Sequence, residues 1–215
     1  MNSIPQLIRN TTSHFDYSEN WIWLETAGKK EFGSNFKLHQ QDAELILKLM
    51  SWFRADKKLA DHFKLDLAKG IFLKGPIGCG KTSLMILFNL ALKQETRYFG
   101  IKSCRQIGVE FAEHGPAILS RYTGYGDGPT KHICFDDLGV EKDSVYFGNY
   151  SNVMEEILLS RYETFYSNKV ITHITSNLTS RELEQRYGVR VRSRCKVLFN
   201  LISFSQKAID KRSLT

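Results

Sequence analysis

Residues 75–82 read Gly75-Pro76-Ile77-Gly78-Cys79-Gly80-Lys81-Thr82, and the fold is decided here. The stretch fits the G-x-x-x-x-G-K-[ST] pattern in full. Its neighbours fit as well. Gly70-Ile71-Phe72-Leu73-Lys74 before it reads as a short buried strand, and residues 83–92 after it read as an apolar helix. Glycines let the backbone wrap a phosphate, and the N–H groups at the start of the helix point at its negative oxygens. Residues Gly75, Pro76, Ile77, Gly78, Cys79, Gly80, Lys81 and Thr82, with Ser83 behind them, are therefore the expected nucleotide cradle. Lys81 is expected at the β- and γ-phosphates, and the Thr82 hydroxyl on a magnesium ion.

Three further segments take their meaning from following this loop in order. Ile133-Cys134-Phe135-Asp136-Asp137 is an apolar strand expected to end at Asp136. Asp136 would hold the metal through water or Thr82, and Asp137 would orient or polarise the attacking water. Glutamate is more usual at that second position, so the shorter aspartate bears on the rate. Ile174-Thr175-Ser176-Asn177 closes another strand, and the Asn177 amide there can hydrogen-bond a γ-phosphate or the lytic water. Tyr187-Gly188-Val189-Arg190-Val191-Arg192-Ser193-Arg194 offers arginines. Arg190 or Arg194 can stabilise transition-state charge, contact nucleic-acid phosphates or be solvated. Arg192 alternates with them and faces elsewhere.

Strand and helix signals alternate along the rest of the chain. Residues 41–53 place Ala43, Ile46, Leu47, Met50 and Phe53 on one helical face. Strands are expected at 97–101, 132–135, 169–175 and 197–202. Helical pieces are expected at 107–111 and 117–122, with a loop at 124–129. Asn152 with Glu155, and Thr179 with Glu182, are helix-start signals. Trp21-Ile22-Trp23-Leu24 is expected as a short strand or a packing anchor. The alternation points to a parallel sheet with helices on both faces, whose ligands bind beyond the carboxyl ends of the strands.

Composition bounds the class. The 215 residues are 42% hydrophobic and 25% charged, which suits one globular domain of residues 41–215 with an N-terminal extension, residues 1–40. No apolar run is long enough to cross a bilayer, and the N-terminus lacks the features of a signal peptide. The cytoplasm is the expected location. Cys79, Cys104, Cys134 and Cys195 stand too far apart for metal or redox spacing and are expected as free thiols. The net charge of +7 permits a nucleic-acid partner without requiring one. Arg181, Arg186, Arg190, Arg192, Arg194 and Lys196 crowd one stretch, with Glu182 and Glu184 the acids among them.

Taken in order, GPIGCGKT, CFDDLG, the Ser160-Arg161-Tyr162 triplet, ITSNL and RYGVRVRSR resemble the helicase-loader and transposition-helper ATPases. These are the DnaC and IstB-like members of the AAA+ superfamily. The resemblance covers roughly residues 67–212. It implies an α/β AAA+ core with a five-stranded parallel sheet and no separate C-terminal lid domain. It gives Asp136 and Asp137 the Walker B roles, Asn177 the sensor role, and Arg194 or Arg190 the finger role toward a neighbouring subunit, hence a homo-oligomer. It implies ATP and Mg²⁺ as cofactors, single-stranded or duplex DNA as a partner, and delivery of a replicative helicase or a transposase. Residues 1–40 would dock that partner. The alternative is a nucleotide-gated, oligomerising adaptor with negligible turnover. A small-molecule kinase fits less well, because no Arg-rich lid is found and Asn177 has no role there.

Overall fold

The computed structural model describes residues 4–11, 13, 15–91, 98–124, 132–142, 144–146 and 149–214. Most of the expected 124–129 loop lies outside them. The chain divides into two compact units. One comprises Met1–Leu67, Pro76–Tyr98 and Ile202–Thr215, and the other Ala68–Gly75 and Phe99–Leu201.

The second unit is built on a parallel sheet. Strands β1 (Gly70–Lys74), β2 (Gly100–Ser103), β3 (Ile133–Leu138), β6 (Thr172–Ser176) and β7 (Phe199–Ser203) form one five-stranded sheet in the order β2-β3-β6-β1-β7. A two-stranded antiparallel ribbon, β4 (Ser144–Tyr146) with β5 (Asn149–Ser151), stands apart and had no signal in the sequence. Ile71, Leu73, Cys134 and Ile174 are inaccessible to solvent, as expected for strands buried on both faces. Phe72, Phe135, Leu138, Ile174 and Phe199 of the sheet pack in one cluster with Ile118, Tyr122 and three longer helices. These helices are α6 (Cys104–His114), α8 (Val153–Asn168) and α9 (Ser180–Leu198). Short helix α7 (Leu119–Thr123) follows a 3-10 turn at Gly115–Ile118.

Both helix-start signals act as caps. The Asn152 side chain accepts from the Glu155 N–H. Thr179 and Glu182 form a reciprocal capping box. Arg161, nearly inaccessible inside this unit, gives Nε to Thr172 Oγ1 at 2.5 Å and Nη1 to the Tyr122 carbonyl at 2.8 Å. The middle of the Ser-Arg-Tyr triplet is therefore an internal tie between α8, β6 and α7.

In the first unit, α1 (Gln6–Arg9) is followed by α2 (Tyr17–Phe32), α3 (Ala43–Phe53), α4 (Lys57–His62) and α5 (Lys81–Ala91). The Trp21–Leu24 region is helical, not a strand. Asp16 caps α2 by accepting from the N–H groups of Ser18 and Glu19. Tyr17, Trp21, Leu24 and Gly28 then recur at three- and four-residue spacing on its buried side, so the anchor reading holds in helical form. Helix α3 is buried nearly all round, and Phe53 stacks on Phe88 of α5 at 4.7 Å. No helix among the described residues is long and apolar enough to cross a membrane.

Candidate nucleotide-binding site

The phosphate loop begins where β1 ends. Lys74 lies beside Ser176 in the sheet register, and the Gly75 N–H donates to the Ser176 carbonyl at 3.2 Å. Two glycines then take left-handed backbone angles, Gly78 at φ +77° and Gly80 at φ +100°. A side chain at Gly78 would also collide with Asp210, whose Oδ1 lies 2.0 Å from where a Cβ would stand. Only glycine meets both demands. Lys81 opens α5 and is nearly buried, and its ammonium donates back to the Pro76 carbonyl at 3.0 Å. Cys79 inside the loop is inaccessible, and burial raises its thiol pKa above the ordinary value.

A cavity of about 250 Å³ opens beside this loop within the same unit. Gly78, Gly80 and Ser83 border it on the phosphate side, and Phe36, Leu38 and Ile46 give it an apolar wall. His39 also lines it, its pKa lowered by burial and then by the charge of Lys211. An apolar slot next to a glycine-rich loop at a helix start suits a flat base joined to phosphates.

The other expected residues belong to the second unit. The strand holding Asp136 does not stop there but continues to Leu138, with a register break between Phe135 and Leu138. Asp137 sits in the break at φ +55°, a conformation unusual outside glycine. Thr175, part of the Ile174–Asn177 segment but given no role by the sequence, explains how it is held. The Thr175 hydroxyl donates to Asp136 Oδ1 at 2.7 Å and accepts from the Asp137 N–H at 2.8 Å. One side chain thus fixes both acids. Asn177 is exposed just past the end of β6, next to Ser176, whose hydroxyl donates to the Leu138 carbonyl at 2.6 Å.

Glu141 was likewise unforeseen. It is nearly buried, accepts from the Gly139 N–H at 2.9 Å and pairs with Arg186 at 3.3 Å, while Tyr187 donates its hydroxyl to it. Arg186 is thereby tied to the loop after Asp137.

Helix α9 has an internal kink at Gly188, φ +79° and ψ 167°. Arg190 and Arg194 follow it four residues apart, both exposed, and so lie on one helical face. The Arg194 guanidinium rests 4.0 Å over the Tyr162 ring. Arg192 is turned to Glu184.

The Thr82 hydroxyl and the Asp136 carboxylate, one in each unit, are hard oxygen donors of the kind magnesium takes. Among the described residues there is no group of three or more His, Cys, Asp or Glu that could hold a metal ion.

No protein-family model matches the chain, and no curated protein matches it. Solved structures do. DnaI matches at 19% identity with a TM-score of 0.52, over 80% of this chain and 89% of that one. A DNA replication initiation factor matches at 16% identity with a TM-score of 0.52, over 84% of this chain and 51% of that one. The DnaC helicase loader aligns at 20% identity with a TM-score of 0.49, over 64% of this chain and 79% of that one. The chain shares with DnaI an α/β fold in which a five-stranded parallel sheet is flanked by helices. At these identities the likeness speaks to the fold alone. The five-stranded parallel sheet expected from the sequence is present among the described residues.

Proposed function

We propose that this chain is a magnesium-dependent ATPase of the loader type, which binds ATP, assembles with copies of itself on DNA and delivers a replicative helicase or a transposase. The observation that carries the nucleotide part is the cavity in which an apolar wall meets the Gly78–Gly80 turn. The loader part is supported by the likeness to DnaI and by the order of motifs.

In this reading the loop N–H groups and Lys81 bind the phosphates, and the wall formed by Phe36, Leu38 and Ile46 takes the base. Magnesium, when bound, neutralises phosphate charge, and Thr82 and Asp136 are its protein ligands. Asp137 accepts a proton from the attacking water or aligns it, with its backbone held by Thr175. Asn177 orients the same water or the γ-phosphate. Arg194 or Arg190 approaches the phosphates of a neighbouring copy. Residues 1–40 dock the delivered partner, and exposed Ile22 and Trp23 on α2 offer an apolar contact.

A second reading is favoured by one observation. Asp137 has a short side chain on a backbone pinned at φ +55°, an arrangement that also suits a nucleotide-gated adaptor with little turnover. ATP hydrolysis by the purified protein with magnesium, with and without single-stranded and duplex DNA, separates the two. DNA-stimulated turnover that is lost in Lys81→Ala supports the ATPase. ATP binding without turnover in every condition favours the adaptor.

A further inference from the structure

Glu141 stands in the loop after β3 and is only 5% exposed. A buried carboxylate needs a countercharge and partners for its remaining lone pairs, and Glu141 has both. The Arg186 guanidinium pairs with Oε1 at 3.3 Å and also donates to the Glu141 carbonyl. The Tyr187 hydroxyl donates to Oε1 and accepts from Arg186 Nε at 3.2 Å. The other oxygen, Oε2, accepts from the Gly139 N–H at 2.9 Å. Taken alone, this is a satisfied ion pair that fastens a loop to a helix.

The positions of its two ends carry it further. One end is Gly139, in the turn that begins at Asp137. Both residues are left-handed, Asp137 at φ +55° and Gly139 at φ +108°, and the Val140 N–H closes the turn on the Asp137 carbonyl at 3.2 Å. A left-handed aspartate persists only where its surroundings hold it. A Cβ on Gly139 would stand 2.7 Å from Leu178 Cδ1, so the turn also lies against the residue that follows Asn177. The other end is Arg186 and Tyr187, immediately before the kink of α9 at Gly188. That end is itself fixed. Tyr187 is inaccessible, and the Arg186 carbonyl accepts from Asn152 Nδ2, the cap of α8, at 2.9 Å. One carboxylate therefore spans from the Asp137 turn to α9, with an oxygen on each side.

We propose that Glu141 is a positioning residue for hydrolysis, which keeps the Asp137 turn in its left-handed form by tying it to α9 through Arg186 and Tyr187. The proposal rests on the ATPase reading above and adds a residue to which the motif order gives no role. Glu141 acts through Asp137, so its loss should slow turnover and spare ATP binding. What matters is reach as well as charge, because one side chain must meet Gly139 and Arg186 at once.

The test measures equilibrium binding of a fluorescent ATP analogue and steady-state ATP turnover with magnesium and DNA, on the full chain. The variants are Lys81→Ala, Glu141→Asp, Glu141→Gln and the double variant Glu141→Leu/Arg186→Met. Glu141→Asp keeps the countercharge of Arg186 and loses the reach. Glu141→Gln keeps the reach and an acceptor for Gly139. The double variant removes both charges, so no buried charge is left uncompensated, and thermal melting checks its fold. Glu141→Asp and the double variant should each lower turnover roughly tenfold or more, the scale of a misaligned catalytic group, with ATP affinity near wild type. Glu141→Gln should keep more of the rate than Glu141→Asp. Wild-type turnover in a folded double variant, equal losses of binding and turnover, or a rate higher in Glu141→Asp than in Glu141→Gln would overturn the role of Glu141 and leave the site standing. A wild-type chain that binds ATP through Lys81 and never turns it over removes the reaction Glu141 would serve, and the proposal falls while the nucleotide site remains. If the wild-type chain does not bind ATP, or Lys81→Ala binds it equally well, the site itself is misread and both ideas fall.

Discussion

At the scale of single residues, the acids at the end of β3 depend on the hydroxyl of Thr175, a member of the ITSNL segment to which the sequence gives no role. Thr175 is inaccessible and bridges Asp136 and the Asp137 backbone. Thr175→Val keeps the shape and removes the bridge. Loss of the two hydrogen bonds costs about 1 kcal/mol each, which a urea titration should register. Turnover should fall roughly tenfold or more as Asp137 loses its alignment, while ATP affinity stays near wild type and Thr175→Ser restores the rate. Equal losses in binding and turnover would show that Thr175 acts on the fold as a whole. His39 offers a second, independent readout. Burial, then Lys211, lowers its pKa from the ordinary 6.5. The folded chain thus binds fewer protons at this site than the unfolded chain, so the contribution of His39 to stability is present above pH 6.5 and is lost as pH falls through the folded pKa. An NMR titration should find its midpoint below 6.5, and Lys211→Met should move the midpoint upward. An unchanged midpoint would mean that burial alone sets it.

At the scale of elements, helix α9 joins two purposes across one residue. Its first half carries the capping box, and Leu183 and Tyr187 bury it. Its second half carries Arg190 and Arg194. Gly188 between them adopts a backbone conformation essentially confined to glycine. A Cβ there would meet only Glu155 Oε1, at 4.0 Å, so the obstacle is conformational and not steric crowding. Gly188→Ala should therefore destabilise the chain by about 1–3 kcal/mol, or straighten α9 and turn Arg190 and Arg194 away. Unfolding midpoints and turnover of the same variant distinguish these outcomes, and wild-type behaviour in both would show the kink to be incidental. Much at this scale was legible beforehand. The strand–loop–helix around residue 75, the caps at Asn152 and Thr179, and the apolar strands announce themselves through short-range patterns. What was not legible depends on distant pairing. The β4–β5 ribbon has no strong alternation, and α2 hides its period because Trp21 and Leu24 are interleaved with exposed Ile22 and Trp23. Glu141 and Thr175 gain their roles from partners 45 and 39 positions away in the chain.

At the scale of the whole molecule, the proposed reading has the site completed by a neighbour, and that proposal has a quantitative signature. Arg194 rests over Tyr162 on the exposed side of α9. If Arg194 serves a second copy, two differently crippled chains can repair each other. Lys81→Ala keeps the arginine and lacks a working loop, whereas Arg194→Ala keeps the loop and lacks the arginine. Each alone should hydrolyse ATP at a small fraction of the wild-type rate, and Arg194→Ala should still bind ATP. Mixed in equal amounts, random neighbours would pair an intact loop with an intact arginine in roughly a quarter of the interfaces, and turnover should recover toward that level. The recovery should grow with protein concentration, since it requires assembly, and should vanish when both substitutions occupy one chain that is mixed with itself. The same experiment with Arg190→Ala assigns the finger between the two arginines. A mixture no more active than its components, at concentrations where the wild-type chain is assembled, would mean that neither arginine acts across an interface, and the basic face of α9 would then be left to the phosphates of DNA.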